Sequence, residues 1–574
     1  MLNTQLRKSD LIADLNKFGE GKFLDSIDII NDGISFDEGH GFKDKHIREN
    51  KQILGKLHHI FHIQDYKKSS FREELLKHAE PATLISYLKQ VEIIPKNTKT
   101  LSPSENLTYC KKASNLPWGN NKETEIFVNT FGYESSLIPI SKEVHESMIE
   151  INPPTMDSKT GKINLELHSS STYRPLYPYQ SKLFFEADEM VEKKFHRFMI
   201  MMPTGAGKTR LAMEIISHFL IRGVKNEDEK QVIWLADKEE LLEQAIETFK
   251  NIFPHLVEKK TKLYRLWGQY SSSSYEKNSI IFANYQTLIK IIKNNPNLLN
   301  PNLIICDEAH NVIATTYKPA IQKLSEKGAC VIGLTATPVR TINGSQNNEL
   351  KDFFYWNSQD TRRSFLDIEI DVDKYDNTID YLQKNQYLSY PNKYEIDTGD
   401  LESLISTEMF RLVSKSRDLP AKFLEILAKN NDRNRKIAIK LMEIEKGKRT
   451  LYFGTNRYQT QLICTIMILA GKKAVYLDGD SPISYRRDSI EKFKKGEIDI
   501  ICNCDLFTTG FDDPKIQVIM IGRPTKSIVL HQQMIGRGMR GPKMGGTKEF
   551  DLYRIKDNLP SIDLADNQMG NYWS

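Results

Sequence analysis

The chain has no apolar run of 18 residues, so nothing in it reads as a membrane-spanning helix. Its first residues, Met1-Leu2-Asn3-Thr4-Gln5-Leu6-Arg7-Lys8, lead into no apolar stretch of the signal-peptide kind. Cysteine is sparse. Cys110, Cys306, Cys330, Cys464, Cys502 and Cys504 show neither disulfide-framework nor zinc-ribbon spacing, and the pair Cys502/Cys504 has no second pair to complete a metal site. They read as reduced thiols, several in apolar strands, and a cytoplasmic location is expected. An excess of one charge is also lacking. A net charge of +5 over 574 residues excludes a broad basic footprint, so any nucleic-acid surface must be local. What is present is an ordinary globular composition, 39% hydrophobic and 27% charged, at a length that suits about three or four domains.

One stretch stands out, Met202-Pro203-Thr204-Gly205-Ala206-Gly207-Lys208-Thr209. The apolar run Phe198–Met201 precedes it, and Leu211, Ile215, Ile216, Phe219 and Leu220 follow at helical spacing. Strand, glycine loop, helix is the context of a phosphate-binding loop. Met202 stands where the general pattern begins with Gly. Thr204, Gly205, Ala206 and Gly207 form the expected cradle, with loop amides and the helix N-terminus turned to a polyphosphate. Lys208 is placed for the β- and γ-phosphates and the Thr209 hydroxyl for a metal ion, so ATP and Mg²⁺ are the expected cofactors.

Residues 1–165 read as an accessory domain, α-rich or α+β, of unassigned role. Leu75, Leu76, Leu84, Tyr87 and Leu88 suggest helix, and Glu125–Val128 a short strand. His58, His59, His62 and Asp65 read as a packed or solvated cluster rather than a metal site. The Glu20/Lys22 and Glu49/Lys51 pairs do not end apolar strands as nuclease carboxylates would. Residues 151–172 read as a linker. Apolar runs then alternate with helical stretches: Phe198–Met201, Val232–Leu235, Ile280–Ala283, Leu303–Cys306 and Val331–Leu334. That series predicts an α/β domain over 173–345 with a parallel sheet. Residues 346–425 read as an inter-domain linker or insert. A second series over 426–574 runs through Leu451–Phe453, Ala474–Tyr476, Ile498–Cys502, Val518–Ile521 and Phe550–Ile555. Only the first domain carries a phosphate loop, which suggests a nucleotide sandwiched between the two.

Ile304-Ile305-Cys306-Asp307-Glu308-Ala309-His310 is an apolar strand ending in two acids. Asp307 is expected to hold Mg²⁺, and Glu308 to orient and deprotonate the attacking water. Leu334-Thr335-Ala336-Thr337-Pro338 ends the next strand and could sense the phosphate. In Gln533-Met534-Ile535-Gly536-Arg537-Gly538-Met539-Arg540, Arg537 and Arg540 share a helix face and suit phosphate as arginine fingers from the facing domain. Thr508-Thr509-Gly510-Phe511-Asp512-Asp513-Pro514 can line the cleft, with Gly510 and Asp512 toward the nucleotide, or meet a nucleic-acid backbone through Thr508.

These motifs, over about residues 173–560, resemble the superfamily 2 helicases and translocases of the DEAH type, and most of all the motor parts of Type I and Type III restriction enzymes. The resemblance implies two tandem RecA-like domains and nucleic-acid-dependent ATP hydrolysis. It implies that Gln180, in Leu176-Tyr177-Pro178-Tyr179-Gln180, reads adenine, and that Gln533 joins Lys208, Glu308, Arg537 and Arg540 in catalysis. It also implies contacts to nucleic acid at Lys238, where Asp237-Lys238 replaces a more basic pair, at Gln286 and Thr287, and at Thr455 and Thr508. DNA is favoured as partner over RNA, with a protein partner possible through residues 1–165 and no membrane. A nucleic-acid-triggered ATPase switch and an RNA helicase stay open as alternatives. No nuclease is expected at either end.

Overall fold

The structure is a computed structural model. It describes residues 69–77, 81–117, 122–131, 163–164, 173–193, 195–225, 230–256, 261–268, 270–314, 316–336, 345–354, 365–399, 405–416, 418–507, 511 and 513–558. The helices α1 (Ser69–Lys77), α2 (Pro81–Gln90), α3 (Pro103–Ser114) and α4 (Lys122–Phe131) come first. They share a separate core of Leu76, Leu84, Tyr87, Leu88, Cys110 and Phe127. Ser102 and Glu105 close a reciprocal capping box at the start of α3. Glu125–Val128, expected as a strand, lies inside α4. A short apolar run suits either element, and here Phe127 is fixed by packing on the edge of Tyr87, 5.6 Å between ring centres. The expectations for Glu20, Lys22, Glu49, Lys51, His58, His59, His62 and Asp65 lie outside the described residues.

The first sheet is built from β1 (Ile163–Asn164), β2 (Arg197–Met201), β3 (Gln231–Ala236), β4 (Lys262–Leu266), β5 (Ser279–Asn284), β6 (Leu303–Cys306), β7 (Cys330–Thr335) and β8 (Phe365–Leu366). Their order is β1-β4-β5-β3-β6-β7-β2-β8, parallel throughout except for the β1–β4 edge. The alternation of buried side chains explains it. Every residue of β3 is buried, with Val232, Trp234 and Ala236 in one core and Ile233 and Leu235 in another. A strand buried on both faces needs helices on both sides. They are α5 (Pro178–Glu192), α6 (Lys208–Lys225), α7 (Glu239–Leu256), α8 (Tyr285–Asn294), α9 (Lys318–Glu326) and α10 (Ser345–Phe354).

The second half contains α11 (Thr378–Lys384), β9 (Tyr390–Asp397), α12 (Thr407–Lys415), α13 (Ala421–Ala428), α14 (Asn431–Glu443), β10 (Thr450–Phe453), α15 (Arg457–Leu469), β11 (Ala474–Asp478), α16 (Ile483–Lys495), β12 (Ile500–Cys504), β13 (Val518–Ile521), α17 (Ile528–Ile535) and β14 (Glu549–Lys556). Its strands form a second parallel sheet, β11-β12-β10-β13-β14-β9. The tandem parallel-sheet architecture is therefore as expected, but residues 346–425 differ from a linker. They give β8 to the first sheet and β9 to the second. Residues 151–172 likewise supply β1 to an edge of the first sheet.

One buried ion pair ties the strand ends of the second sheet together. Arg433 is fully buried. Its guanidinium meets Asp557 at 2.7 and 3.1 Å, the Thr455 hydroxyl at 2.9 Å and the Gly522 carbonyl at 2.7 Å. Arg433→Ala would leave the Asp557 carboxylate buried without this partner, so we expect a loss of about 3–5 kcal/mol. Denaturant unfolding of the full chain checks this, and an unchanged midpoint would contradict it.

Candidate active site

The site begins where β2 gives way to α6. Gly205 and Gly207 have φ of +91° and +85°, conformations that disfavour a Cβ. At Gly207 a Cβ would also stand 2.5 Å from Gln180 Nε2. Gln180, in the first turn of α5, is buried. Its Nε2 donates to Ala206 O at 3.0 Å, and its Oε1 accepts from Tyr177 N at 3.0 Å. The Tyr179 hydroxyl donates to the same Ala206 carbonyl at 2.9 Å. The glutamine is thus locked onto the back of the loop. Lys208 opens the 18-residue α6, and its Nζ donates to Met202 O at 3.1 Å.

Asp307 and Glu308 follow β6 at its carboxyl end, where parallel sheets place their sites. Tyr285 supports the turn from below, its hydroxyl 3.3 Å from Asp307 O. Asp307 is buried, and burial first, then the neighbouring Glu308, push its carboxyl up to about 7 against the pull of Lys208. Burial holds the Lys208 ammonium below its ordinary range, and Glu308 and Asp307 oppose that. Glu308 has a left-handed backbone, φ 48°. A non-glycine residue held there costs about 1–3 kcal/mol, a strain typical of functional sites. His310 Nδ1 lies 3.4 Å from Glu308 Oε2.

The second domain reaches the same place. Gln533 Nε2 donates to Glu308 Oε1 at 3.3 Å. Arg540 Nη1 donates to Gly205 O. Gly536 lies against Thr204 so closely that a Cβ would sit 2.2 Å from Thr204 Cγ2. Arg537 instead donates to Phe511 O, at 2.5 Å, within its own domain. Between the domains lies a cleft of about 280 Å³ lined by Asp237, Lys238, Glu308, Asn311, Ser527 and Gln533, among others.

Of the expected nucleic-acid residues, Lys238 is exposed on this cleft. Gln286 is exposed and Thr287 half-buried in the first turn of α8. Thr455 differs from the expectation: it is buried, bonded to Arg433 and donating to Gly522 O at 2.9 Å. Thr508, Gly510 and Asp512 lie outside the described residues. Thr337 and Pro338 do too, while Thr335 is buried and its carbonyl accepts from Met202 N at 3.0 Å. The sequence reading passed over Leu388 and Ser389. Leu388 bridges to Arg540 and comes within 3.0 Å of a Cβ placed on Gly205. The Ser389 hydroxyl donates to the carbonyls of Arg540 and Thr547 at 2.5 Å. Nothing in the local pattern marks them, because their partners are far off in sequence, 151 and 158 residues away for Ser389.

The Type III restriction enzyme res subunit family matches residues 174–340, and the helicase conserved C-terminal domain matches residues 433–541. The chain is 29% identical over 395 residues to IRC3 of Saccharomyces cerevisiae, provisionally named an ATP-dependent helicase, covering 68% of this chain and 51% of that one. It is 24% identical over 425 residues to the Type I restriction enzyme EcoKI endonuclease subunit of Escherichia coli, covering 67% and 35%. A fragment structure of an HsdR subunit of a Vibrio vulnificus type I restriction enzyme aligns at 16% identity with a TM-score of 0.48, covering 76% and 69%. The chain thus spans about half the length of the yeast relative and about a third of the bacterial one. The matched domains coincide with the two parallel-sheet domains, a helicase-type pair that implies use of ATP. The chain is similar over both domains to an ATP-dependent helicase and to endonuclease subunits of Type I restriction enzymes.

Gly207→Ala tests the loop geometry. The left-handed backbone costs an alanine about 1–2 kcal/mol, and the methyl must also displace Gln180. Equilibrium binding of a fluorescent ATP analogue should weaken by about tenfold or more, and unchanged affinity would contradict the geometry.

Proposed function

We propose that this chain is a nucleic-acid-dependent ATPase that moves along DNA or separates its strands. The observation that carries this reading is the pair of contacts across the cleft, Gln533 on Glu308 and Arg540 on the phosphate loop. A site completed from two domains can turn hydrolysis into relative domain movement. ATP would lie on the amides of Thr204–Thr209, with Lys208 turning from Met202 O to the phosphates. Thr209 and Asp307 fit Mg²⁺, since a buried carboxyl raised by burial and by Glu308 gains most from a hard cation beside it. The ion, when bound, supplies charge neutralisation at the phosphates. Glu308, held by Gln533, orients water and takes its proton. Arg540 is the residue poised to leave Gly205 O for the transferring phosphoryl group. Arg537 acts from the side of its own domain.

Lys238, Gln286 and Thr287 lie at strand ends of the first domain and would meet the backbone of the strand. Such contacts are independent of sequence, as a motor needs. The likeness to restriction-enzyme subunits favours DNA, and either defence against foreign DNA or DNA repair would fit such an activity. Residues 1–165, whose described helices have their own core, are the part we assign to a partner or a particular nucleic-acid structure.

Steady-state hydrolysis with single-stranded DNA, duplex DNA and RNA tests the reading. The rate should depend on DNA and fall as salt rises, because phosphate contacts release counterions. A rate indifferent to nucleic acid and salt would remove the motor. Lys208→Ala should abolish turnover and weaken ATP binding. Glu308→Gln should still bind ATP but hydrolyse it very slowly; a normal rate would move the general base elsewhere. Arg540→Ala should keep ATP affinity while turnover drops by roughly 10³-fold or more. A defect confined to affinity would make Arg540 a ground-state contact.

A further inference from the structure

The turn after β3 and the turn after β6 are joined by a backbone bond and a side-chain bond. Asp307 N donates to Leu235 O at 2.9 Å, which continues the pairing of two parallel strands. Asn311 Nδ2 donates to Asp237 Oδ2. Neither of these two residues belongs to a strand, and both line the interdomain cleft. Asn311 ends the short helical turn Ala309–Asn311, and its N–H donates to Glu308 O at 2.9 Å. One residue therefore holds the backbone of Glu308 and is itself held by Asp237. Glu308 needs such a hold, because a left-handed non-glycine backbone persists only where its surroundings enforce it. Asp237 in turn sits on a fixed corner. The carbonyl of Lys238 accepts from Leu241 N at 3.1 Å and Leu242 N at 3.2 Å, which ties the corner to the first turn of α7. In that turn Glu240 accepts from Arg486 of α16, in the second domain, at 2.9 Å. On the other side, the Tyr285 hydroxyl braces Asp307 O, and its ring stacks on Tyr317 with centres 4.7 Å apart. That brace acts one residue before the turn that Asn311 holds.

We propose that Asn311 is a positioning residue: its bond to Asp237 carries strand binding at Lys238 to the turn of Glu308 and so sets the general base. This rests on the motor reading above. A phosphate that grips the exposed Lys238 pulls on the corner it shares with Asp237, and Asn311 passes the movement to the Glu308 carbonyl. A shift of the second domain at Arg486 enters by the same corner. The role is one of orientation, since an amide neither gives nor takes a proton at the attacking water. The place of the bond favours a link over a tie needed for folding. Asp237 is exposed and Asn311 half-buried, and substitutions at such positions change stability little. The two ends of the bond lie beside residues with separate tasks, Lys238 on the strand and Glu308 on the water.

The test measures ATP hydrolysis by the full chain as ATP is varied at saturating strand and as strand is varied at saturating ATP, with single-stranded DNA and RNA. Circular dichroism checks that each variant folds. Asn311→Ala should keep the KM for ATP and the strand concentration for half-maximal rate, while the strand-stimulated kcat falls by about tenfold, the order of one hydrogen bond to a charged group. Asn311→Asp should lose more, because it sets two carboxylates face to face. The exchange D237N/N311D restores the bond with amide and carboxylate reversed, and should recover most of the rate. A tie that served only folding would not split kcat from KM in this way. A stimulated wild type with an equally stimulated Asn311→Ala overturns the coupling and leaves the motor reading standing. A loss of affinity with kcat unchanged, or an exchange variant as slow as Asn311→Asp, overturns the coupling as well. A wild type that neither DNA nor RNA stimulates removes the motor reading and the coupling with it.

Discussion

Lys208, Asp307 and Glu308 share one poorly hydrated corner at the carboxyl end of the first sheet, and the remaining site geometry depends on their mutual attraction. Burial drives Asp307 and Lys208 each toward the neutral form. Together the cation offsets part of the cost of the carboxyls, and the carboxyls part of the cost of the cation. The balance is incomplete, since Asp307 stays raised and Lys208 stays lowered. A pocket left short of one compensating charge on each sign is suited to a ligand that carries both, a polyphosphate with its metal. The left-handed turn at Glu308 and the rigid amide of Gln180 hold the shape while the charges are unsettled.

The second domain does not merely cover this corner. Its Arg540 is held from behind by the stretch just before β9, through the bridge to Leu388 and the two carbonyls bound by Ser389. The same few residues touch the phosphate loop, since Leu388 lies against Gly205. Tyr387 packs at a steep angle against Tyr177 and Tyr179, ring centres 4.9 Å from each. The connection between the domains therefore packs on the start of α5, on the glycine loop and on Arg540 at once. A change at any one of the three is felt at the other two through side chains that are already in contact.

How much of this could be read from the chain follows from the range of each signal. The phosphate loop, the acids after β6 and the tandem sheets are local patterns, a few residues of fixed type beside a strongly apolar strand. Strands with a mixed pattern escaped. β4 reads Lys262-Leu263-Tyr264-Arg265-Leu266, where Arg265 is buried against Glu243, and β9 is exposed over four consecutive residues. Glu125–Val128 was misread because four residues cannot separate a period of two from one of 3.6. The contacts that assemble the site were invisible for a different reason. Gln533 and Glu308 stand 225 residues apart, and only the relative placement of two domains brings them together.

Arg433 shows the same limit inside one domain. In sequence it lies in a polar run, Asn431-Asp432-Arg433-Asn434-Arg435-Lys436, with no apolar neighbour to mark it as buried. In the structure it is fully buried, joining the carboxyl ends of β10, β13 and β14 through Thr455, Gly522 and Asp557. Arg523, next to Gly522, already leans toward Asp418, 3.8 Å away, and Asp418 accepts from Thr525 Oγ1 and Lys526 N, both at 2.9 Å, where the chain enters α17. The buried arginine thus fixes the floor of the loop on which the start of α17 rests. Four hydrogen bonds, two of them to the Asp557 carboxylate, hold the Arg433 guanidinium at the strand ends and make that end of the second sheet a single connected network.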